Sequence, residues 1–282
     1  MKRILLSVLA ATSLFTATAT GKTAEATAPK TSGKIVMEAR RSNMDFHTIK
    51  VSRGIRLIVD DRTDGNIIVR AGENVMPYVE LSVRNSEFTA KISDKITKLR
   101  YGYCAEVHIP HNATVNRIAA LGASSVTVKP VLSAAELHLS AAGASKIDAK
   151  ADVTGEAEIS CIGASSITLA LTAAECKVDI TGAATATLAG SAQKCDIEVV
   201  GASKLNAADF KCTEIDAEVT GASTITVAGT DCDIEALGAS KATVYCDGRL
   251  EAEAAGASTI LYTGNCTVAK ASNVGASTIK KQ

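Results

Sequence analysis

The feature that most constrains the fold of this chain is the tripeptide Gly-Ala-Ser, which returns at intervals of 17 to 21 residues. Nine copies occur, one of them as Gly-Ala-Ala, and the mean interval is near 19 residues. They begin at Gly122, Gly143, Gly163, Gly182, Gly201, Gly221, Gly238, Gly256 and Gly275. Self-similarity at a fixed short period is the signature of repeat architectures, in which neighbouring units share one continuous core.

Apolar and polar residues alternate on either side of each copy. Val126 and Val128 flank Thr127 after the first tripeptide, and Val178 and Ile180 lead into the fourth. A period of two predicts strands. We therefore expect each tripeptide to form a corner between strands. Gly would supply backbone freedom, Ala would fill the inside of the bend, and Ser would bond the nearby backbone or the next unit.

Units of this size are too small to bury a core alone, so they must stack. The predicted fold is all-β: a single-stranded parallel β-helix, or solenoid, with turns of about 19 residues. Right-handed crossovers are expected, because parallel connections strongly prefer that hand. Composition agrees with a narrow bore, since hydrophobic residues make up 46% of the chain but aromatic residues only 3%.

The first residues predict export. Residues 1–19 are typical of a secretory signal peptide: Lys2 and Arg3 precede an apolar run over 4–15, and small residues at 17–19 suit cleavage. The 12-residue run is too short to span a hydrocarbon layer of roughly 30 Å. No other apolar run reaches transmembrane length, so the sequence predicts no transmembrane segment and a location in the periplasm, on the outer-membrane surface or in the medium.

The remaining chain divides into three segments. Residues 20–42, rich in Thr, Ala and Lys, predict a flexible leader. Residues 43–121 hold short alternating runs and most of the aromatic residues, which predicts N-terminal strands that form the cap and first turns of the β-helix. Residues 122–282 hold the Gly-Ala-Ser repeat.

The chain contains eight cysteines, and the spacing of six of them predicts a ladder of stacked cysteine side chains inside the repeat region. The ladder comprises Cys176, Cys195, Cys212, Cys232, Cys246 and Cys266; the other two are Cys104 and Cys161. One hypothesis is a column of buried thiols that pack as small apolar groups. Another is disulfides between neighbouring turns, which export would permit. A metal site is the third, although no Cys-x-x-Cys occurs and the four His are scattered.

Charge excludes one class of partner and suggests another. With 30 basic and 30 acidic residues, the chain lacks the basic footprint of a nucleic-acid-binding protein. Paired acids recur two residues apart in successive units and predict an acidic stripe. The stripe comprises Asp196, Glu198, Asp216, Glu218, Asp233 and Glu235. It could be a solvated face, a cation-binding stripe or a catalytic centre.

Common nucleotide, hydrolase and zinc-protease motifs are absent from the sequence, so no catalytic or cofactor-binding residue is predicted.

The position after each tripeptide predicts a second polar surface. It is Ser, Thr or Lys in every unit, as at Lys146, Thr185 and Lys204. This ladder of hydroxyls and ammonium groups is either a solvated corner or a surface that touches glycans or another protein through many weak contacts. At the last unit, Lys280 and Lys281 either guard an open edge against growth or mark a surface for homo-oligomers.

Two segments resemble a known family. The run 46–59, Phe-His-Thr-Ile-Lys-Val-Ser-Arg-Gly-Ile-Arg-Leu-Ile-Val, resembles the family's opening strand pair. The run 105–110, Ala-Glu-Val-His-Ile-Pro, resembles the strand that leads into its Gly-Ala-Ser turns. The chain is similar, over roughly residues 44–280, to the family called putative auto-transporter adhesin, head GIN domain. This resemblance implies a β-helix-type fold and an exported location, and it supplies no catalytic residues.

Taken together, the sequence favours an exported, non-enzymatic β-solenoid without a cofactor, adhesin-like, acting in surface attachment or envelope interaction. Its expected partner is a glycan or an envelope or host protein. Two alternatives remain open: a carbohydrate-active β-helix enzyme of the polysaccharide lyase or hydrolase type, and a purely structural envelope protein.

Overall fold

A computed structural model describes residues 35–41, 45–62, 65–95 and 105–282. The predicted signal peptide lies outside the described residues, as does most of the predicted leader. Strands account for 77% of the structure, and the described residues contain no α-helix. The predicted fold is confirmed: the chain forms a parallel β-solenoid of about nine turns of roughly 19 residues each.

Twenty-one strands and one 3₁₀ turn, Met76–Tyr78, make up the described structure. The strands are β1 (Ile35–Arg41), β2 (Thr48–Ser52), β3 (Ile55–Asp60), β4 (Asn66–Gly72), β5 (Val79–Arg84), β6 (Glu87–Ile92), β7 (Ala105–Pro110), β8 (Arg117–Gly122), β9 (Ser125–Ala134), β10 (Leu137–Gly143), β11 (Lys146–Val153), β12 (Glu156–Gly163), β13 (Ser166–Gly182), β14 (Thr185–Gly201), β15 (Lys204–Gly221), β16 (Thr224–Gly238), β17 (Lys241–Cys246), β18 (Arg249–Gly256), β19 (Thr259–Thr263), β20 (Thr267–Gly275) and β21 (Thr278–Lys281).

Two parallel ladders run the length of the stack. The first ladder contains the strand segments that lead into each Gly-Ala-Ser corner, such as β10, β12 and the second half of β13. The second ladder contains the segments that follow each corner, such as β9, β11 and the first half of β13. One turn of the chain, called a rung below, adds one segment to each ladder. Successive rungs stand about 4.8 Å apart, the spacing of hydrogen-bonded strands.

The core lies between the ladders and is narrow. In β11, Ile147, Ala149, Ala151 and Val153 are buried, and the residues between them are exposed. The same alternation runs through the other rungs up to β19, so small and branched side chains fill the bore. Burial of this apolar surface stabilises the fold by about 25 cal/mol for each Å² removed from water.

The corner glycines are required by the backbone and by the stack. All nine have positive φ, between 73° and 102°, a region that residues with a Cβ rarely adopt. From Gly143 onward each of these Gly residues also lies directly on the Gly of the preceding rung, as Gly201 lies on Gly182. A Cβ built on Gly201 would come within 2.6 Å of the Gly182 carbonyl oxygen. Any side chain at this position would therefore push two rungs apart.

The third residue of the tripeptide fills the inside of the corner; it is serine in every copy except the fourth, where it is Ala184. The second residue, such as Ala144, is exposed, whereas the third, such as Ser145, is buried. The Ser145 hydroxyl donates to the carbonyl of Ala120 in the preceding rung at 2.8 Å and to that of Ala142 at 3.0 Å. The expectation that Ala fills the bend was wrong. The inward position is the third one, and at Ser145 its hydroxyl bonds carbonyl groups of two successive rungs.

The first rungs do not stack in chain order. Strand β2 pairs with β6 on one side and with β8 on the other, and β3 likewise lies between β7 and β9. The rung β2–β3 is therefore inserted between the rung β6–β7, which comes later in the chain, and the rung β8–β9. From β8 onward the rungs follow one another in order.

Antiparallel strands close the N-terminal end of the stack. Strand β5 covers the outer edge of β6, β4 covers β7, and β1 covers β4. The Phe46 and Phe88 rings are fully buried here, with centroids 5.3 Å apart. Residues 35–41, which the sequence assigned to the flexible leader, instead form β1. Pairing with β4 and a hydrogen bond from the Arg40 guanidinium to the Val79 carbonyl hold this strand in place.

Candidate interaction surfaces

The outward residues of the first ladder form an acidic face. In the rungs from β14 to β18, the strand register stacks Asp196, Asp216, Asp233 and Glu251 in one column. It stacks Glu198, Glu218, Glu235 and Glu253 in the next column. The six acids singled out in the sequence thus lie side by side on one surface. The register adds Glu251 and Glu253, which the sequence prediction missed although they precede Gly256 by the same five and three residues.

Neighbouring carboxylates repel one another on this face. Partial burial raises the pKa of Asp233, and the carboxylates of Asp216, Glu251 and Glu253 raise it further. Burial also raises the pKa of Asp179, and the neighbouring acids add to that shift. Cations border the face: Lys270 pairs with Glu253 and Arg249 pairs with Glu251.

The carboxylates of the acidic face are spread over several rungs. A shallow groove between rungs is lined by Glu214, Asp216, Asp231 and Asp233. Within the described residues, no group of three or more His, Cys, Asp or Glu side chains is arranged to hold a metal ion. The stripe therefore offers spaced negative charge rather than a coordination sphere.

The outward residues of the second ladder form a hydroxyl face. Thr185, Lys204, Thr224, Lys241 and Thr259 follow one another in register along it. A parallel column two residues further on contains Thr168, Thr187, Asn206, Thr226 and Thr243. This face offers hydrogen-bond donors and acceptors at regular spacing, with a positive charge at some rungs. The Gly-Ala-Ser corner separates it from the acidic face.

The cysteines of the predicted ladder lie in the bore, except the last. Cys176, Cys195, Cys212, Cys232 and Cys246 are buried, and Cys266 is half-buried. All six are free thiols in this structure, as is the buried Cys161. Cys104 lies outside the described residues.

A charged cluster at the capped end was not anticipated from the sequence. The His108 ring lies between two carboxylates, with Nδ1 3.2 Å from Asp60 Oδ2 and Nε2 2.7 Å from Glu106 Oε1. Arg62 Nε donates to Asp60 Oδ1 at 2.8 Å. Burial opposes ionisation of Asp60, but its hydrogen bonds with Arg62 and His108 outweigh burial and lower its pKa. The cluster forms because β3 pairs with β7, and no sequence motif predicts that pairing.

The last rung exposes part of its apolar side. Val274 is 64% exposed and Val268 is 39% exposed, and Lys280 and Lys281 of the same rung are also exposed. Self-association through this rung stays a prediction. Among the residues that the structure describes, no helix has the length and apolar character needed to cross a membrane.

The two ladders, the stacked glycine corners and the antiparallel cap define the class of the molecule, a capped parallel β-solenoid. The chain belongs to the family described as putative auto-transporter adhesin, head GIN domain, whose model matches residues 45–232. The resemblance predicted from the two sequence segments is thereby confirmed.

Several solved structures share the fold, including three from Parabacteroides. Putative adhesins from Parabacteroides distasonis and Parabacteroides merdae match with TM-scores of 0.67 at 19% and 17% identity. A putative lipid binding protein from Parabacteroides distasonis matches with a TM-score of 0.61 at 14% identity. Each match covers 89% of this chain and 98% of the other chain. No curated protein matches the sequence.

Proposed function

We propose that this protein is an exported, non-enzymatic interaction protein of the adhesin type. It would bind a glycan or an envelope or host protein with the outer faces of its solenoid. One observation carries the proposal: the register stacks the same outward chemistry rung upon rung on two separate faces. Contacts that are weak singly become strong when they are repeated along one rigid surface. The family description and the names of the similar structures agree with this role.

The two faces favour different ligands. The acidic face attracts cationic groups and accepts hydrogen bonds from sugar hydroxyls. The hydroxyl face both donates and accepts hydrogen bonds, and its lysines attract carboxylate or sulfate groups. Solenoids commonly bind through such extended surfaces rather than through a single deep pocket.

Paired variants would show which face binds. The first variant, Asp216→Lys with Glu218→Lys, reverses charge on the acidic face. The second, Lys204→Glu with Lys241→Glu, reverses it on the hydroxyl face and serves as the matched control. All four side chains are exposed, so both variants should fold, which circular dichroism would verify. We expect the wild type to bind on a glycan array or to an envelope extract, and one variant alone to lose that binding.

Other outcomes would contradict the proposal. If the array and the pull-down both stay empty, a purely structural envelope role is favoured. Turnover of a uronate polysaccharide, abolished by the Asp216/Glu218 variant, would instead indicate an enzyme. Exposure on the outer surface is tested separately, by protease accessibility of the protein on intact cells, where protection in intact but not in opened cells would exclude the outer surface.

A further inference from the structure

One aromatic side chain of the repeat region lies on its surface. Residues 122–282 contain three aromatic residues, of which Phe210 is buried, Tyr262 is half-buried and Tyr245 is 48% exposed. A tyrosine that is exposed to this extent adds little to the core. Tyrosine is enriched at binding surfaces, because its ring offers a large rigid contact area and its hydroxyl offers a hydrogen bond. Tyr245 therefore marks a place on the solenoid where a ligand can pack.

The strand register leaves a groove beside Tyr245. Lys211, Ala228 and Tyr245 follow one another in one outward column, on three successive rungs. Because the middle residue has only a methyl group, a groove of about 220 Å³ opens between the two longer side chains, and Asp247 also lines it. The backbone positions of Lys211 and Tyr245 are about 9.6 Å apart, which is twice the rung spacing. The groove is smaller than the roughly 300–1,000 Å³ of pockets for drug-sized ligands, so it suits a single small ring.

Hydrogen bonds hold the Tyr245 ring and the neighbouring carboxylate in place. The Tyr245 hydroxyl donates to Asp247 Oδ2 at 2.8 Å, and the Asn265 amide donates to Asp247 Oδ1 at 3.1 Å. These two bonds lower the pKa of Asp247, and the bond to Asp247 raises the pKa of Tyr245. At neutral pH the groove therefore presents an ionised carboxylate and an intact phenol. A ligand that binds here loses less affinity to the ordering of side chains, because these two are already fixed.

The chemistry of the groove matches a sugar ring that carries a negative charge. The face of an aromatic ring is electron-rich, and it attracts the C–H bonds that a pyranose presents on its own flat face. The Asp247 carboxylate accepts hydrogen bonds from sugar hydroxyls, and a charged acceptor makes such bonds stronger. The exposed Lys211 ammonium group, across Ala228 from the tyrosine, attracts an anionic substituent. An apolar ligand would leave both charges without a complement.

We propose that this groove binds one pyranose ring that carries a carboxylate or sulfate group. The inference rests on the proposed glycan-binding function, and it names the class of sugar and the place where it binds. Tyr245 and Ala228 lie two residues beyond Thr243 and Thr226 of the hydroxyl face. A longer acidic glycan held in the groove would therefore continue along that face, where further hydroxyl groups meet it.

Tyrosine ring signals in a nuclear magnetic resonance spectrum would report binding directly. The chain contains five Tyr, so the full-length protein labelled with ring-¹³C tyrosine gives few signals, and Tyr245→Phe identifies the one that matters. Three probes share one ring and differ in charge: methyl β-glucuronide, glucose 6-sulfate and methyl β-glucoside. We expect both anionic probes to shift the Tyr245 signal in a saturable way. The neutral probe should bind about two- to fivefold more weakly, which is the contribution of one exposed ion pair.

Variants separate the contacts. Lys211→Gln should bring the affinity for the anionic probes down to that for the neutral probe, whereas Lys150→Gln, at an exposed lysine outside the groove, is its matched control. Ala228→Gln should fill the groove and abolish the shifts. Thr172→Gln, at an exposed position of the same column two rungs before Lys211, is the second control and should bind as the wild type. Circular dichroism would verify that each variant is folded.

Four results would overturn the proposal. One is the absence of any Tyr245 shift with the anionic probes, and another is equal affinity for charged and neutral probes. The third is binding that survives in Ala228→Gln. The fourth is a loss of binding in Thr172→Gln as large as that in Ala228→Gln, which would show that the effect does not belong to the groove.

The fate of the groove is separable from that of the adhesin role. Tyr245 shifts combined with an empty glycan array and an empty pull-down would support the groove and contradict the adhesin role. Binding on the array that neither Tyr245→Ala nor Ala228→Gln weakens would refute the groove and leave the adhesin role standing.

Discussion

Alanine at Gly201 should destabilise the solenoid more than alanine at Gly122, although both are corner glycines with positive φ. At Gly122, φ is 73° and an added Cβ would meet only the Arg53 amide nitrogen, at 3.7 Å. At Gly201, φ is 96° and the Cβ would lie 2.6 Å from the Gly182 carbonyl oxygen. The first substitution therefore adds backbone strain alone, and the second adds strain and a steric clash between rungs.

The structure sets the size of each effect. Backbone strain of this kind costs about 1–3 kcal/mol, and that is the whole cost expected for Gly122→Ala. Relief of the clash at Gly201 requires the two rungs to separate locally, which stretches the 2.7 Å hydrogen bond from the Ala202 amide to the same Gly182 carbonyl. Loss of one such bond costs about 0.5–1.5 kcal/mol. Gly201→Ala should thus lower the free energy of unfolding by about 2–4 kcal/mol.

Urea unfolding followed by circular dichroism would measure both variants. The slope of the unfolding free energy against urea must be compared as well, because a solenoid can lose some rungs before others. Equal losses for the two variants, within about 0.5 kcal/mol, would refute the reasoning. Strain at positive φ would then explain the glycine, and the stacking contact would contribute nothing.

Three further predictions concern polar groups. Ser145→Ala should lower the free energy of unfolding by about 1–2 kcal/mol in the same urea assay, because it leaves buried carbonyls without their donor. The control Ser240→Ala should be nearly neutral, since the buried Ser240 hydroxyl has no partner among the described residues. Asp233→Asn should stabilise the protein at pH 7. Because the pKa of Asp233 is raised in the folded protein, this residue contributes stability below its ordinary pKa of 3.8, and the contribution is lost as pH rises through its pKa in the folded state. The variant should therefore flatten this part of the curve of stability against pH. Asp60→Asn should have the opposite effect and lose stability at pH 7, together with the ion pair to Arg62. Because the pKa of Asp60 is lowered in the folded protein, this residue contributes stability above its ordinary pKa, and the contribution is lost as pH falls through its pKa in the folded state. A thermal-shift series from pH 3 to 8 would test both carboxylates, and parallel curves for wild type and variant would contradict either prediction.

The repeat region could be predicted from the sequence because its information is local. Alternation over a few residues identifies the strands, and the period of the Gly-Ala-Ser copies identifies the rungs. It was harder to predict which residue of each corner points into the core. The positive φ of a glycine such as Gly143 reorients the chain, so Ser145 rather than Ala144 points inward. The signal available in the sequence was the serine hydroxyl, which could bond the backbone of the next unit if it pointed inward.

The N-terminal region was predictable only in part, because its information is not local. Each short alternating run is visible as a strand, yet nothing in the run 105–110 reveals that β7 pairs with β3 rather than with a strand nearer in the chain. That pairing also brings His108 to Asp60, residues 48 positions apart. On the acidic face, by contrast, the six recurrent acids were visible in sequence, and Glu251 and Glu253 could have been found from their equal spacing before Gly256.

The inserted rung β2–β3 imposes a sequence of events on folding. During synthesis this rung emerges first, but its two edges are satisfied only when β6–β7 and β8–β9 have followed, the latter ending at Ala134. Closing these pairings joins residues far apart in the chain, which is the slow kind of step. Every later rung then adds to a finished edge about 19 residues at a time. The rungs up to β9 therefore act as the template for the solenoid, and a destabilising substitution there should delay the folding of all later rungs, whereas one near β20 should fray only the end.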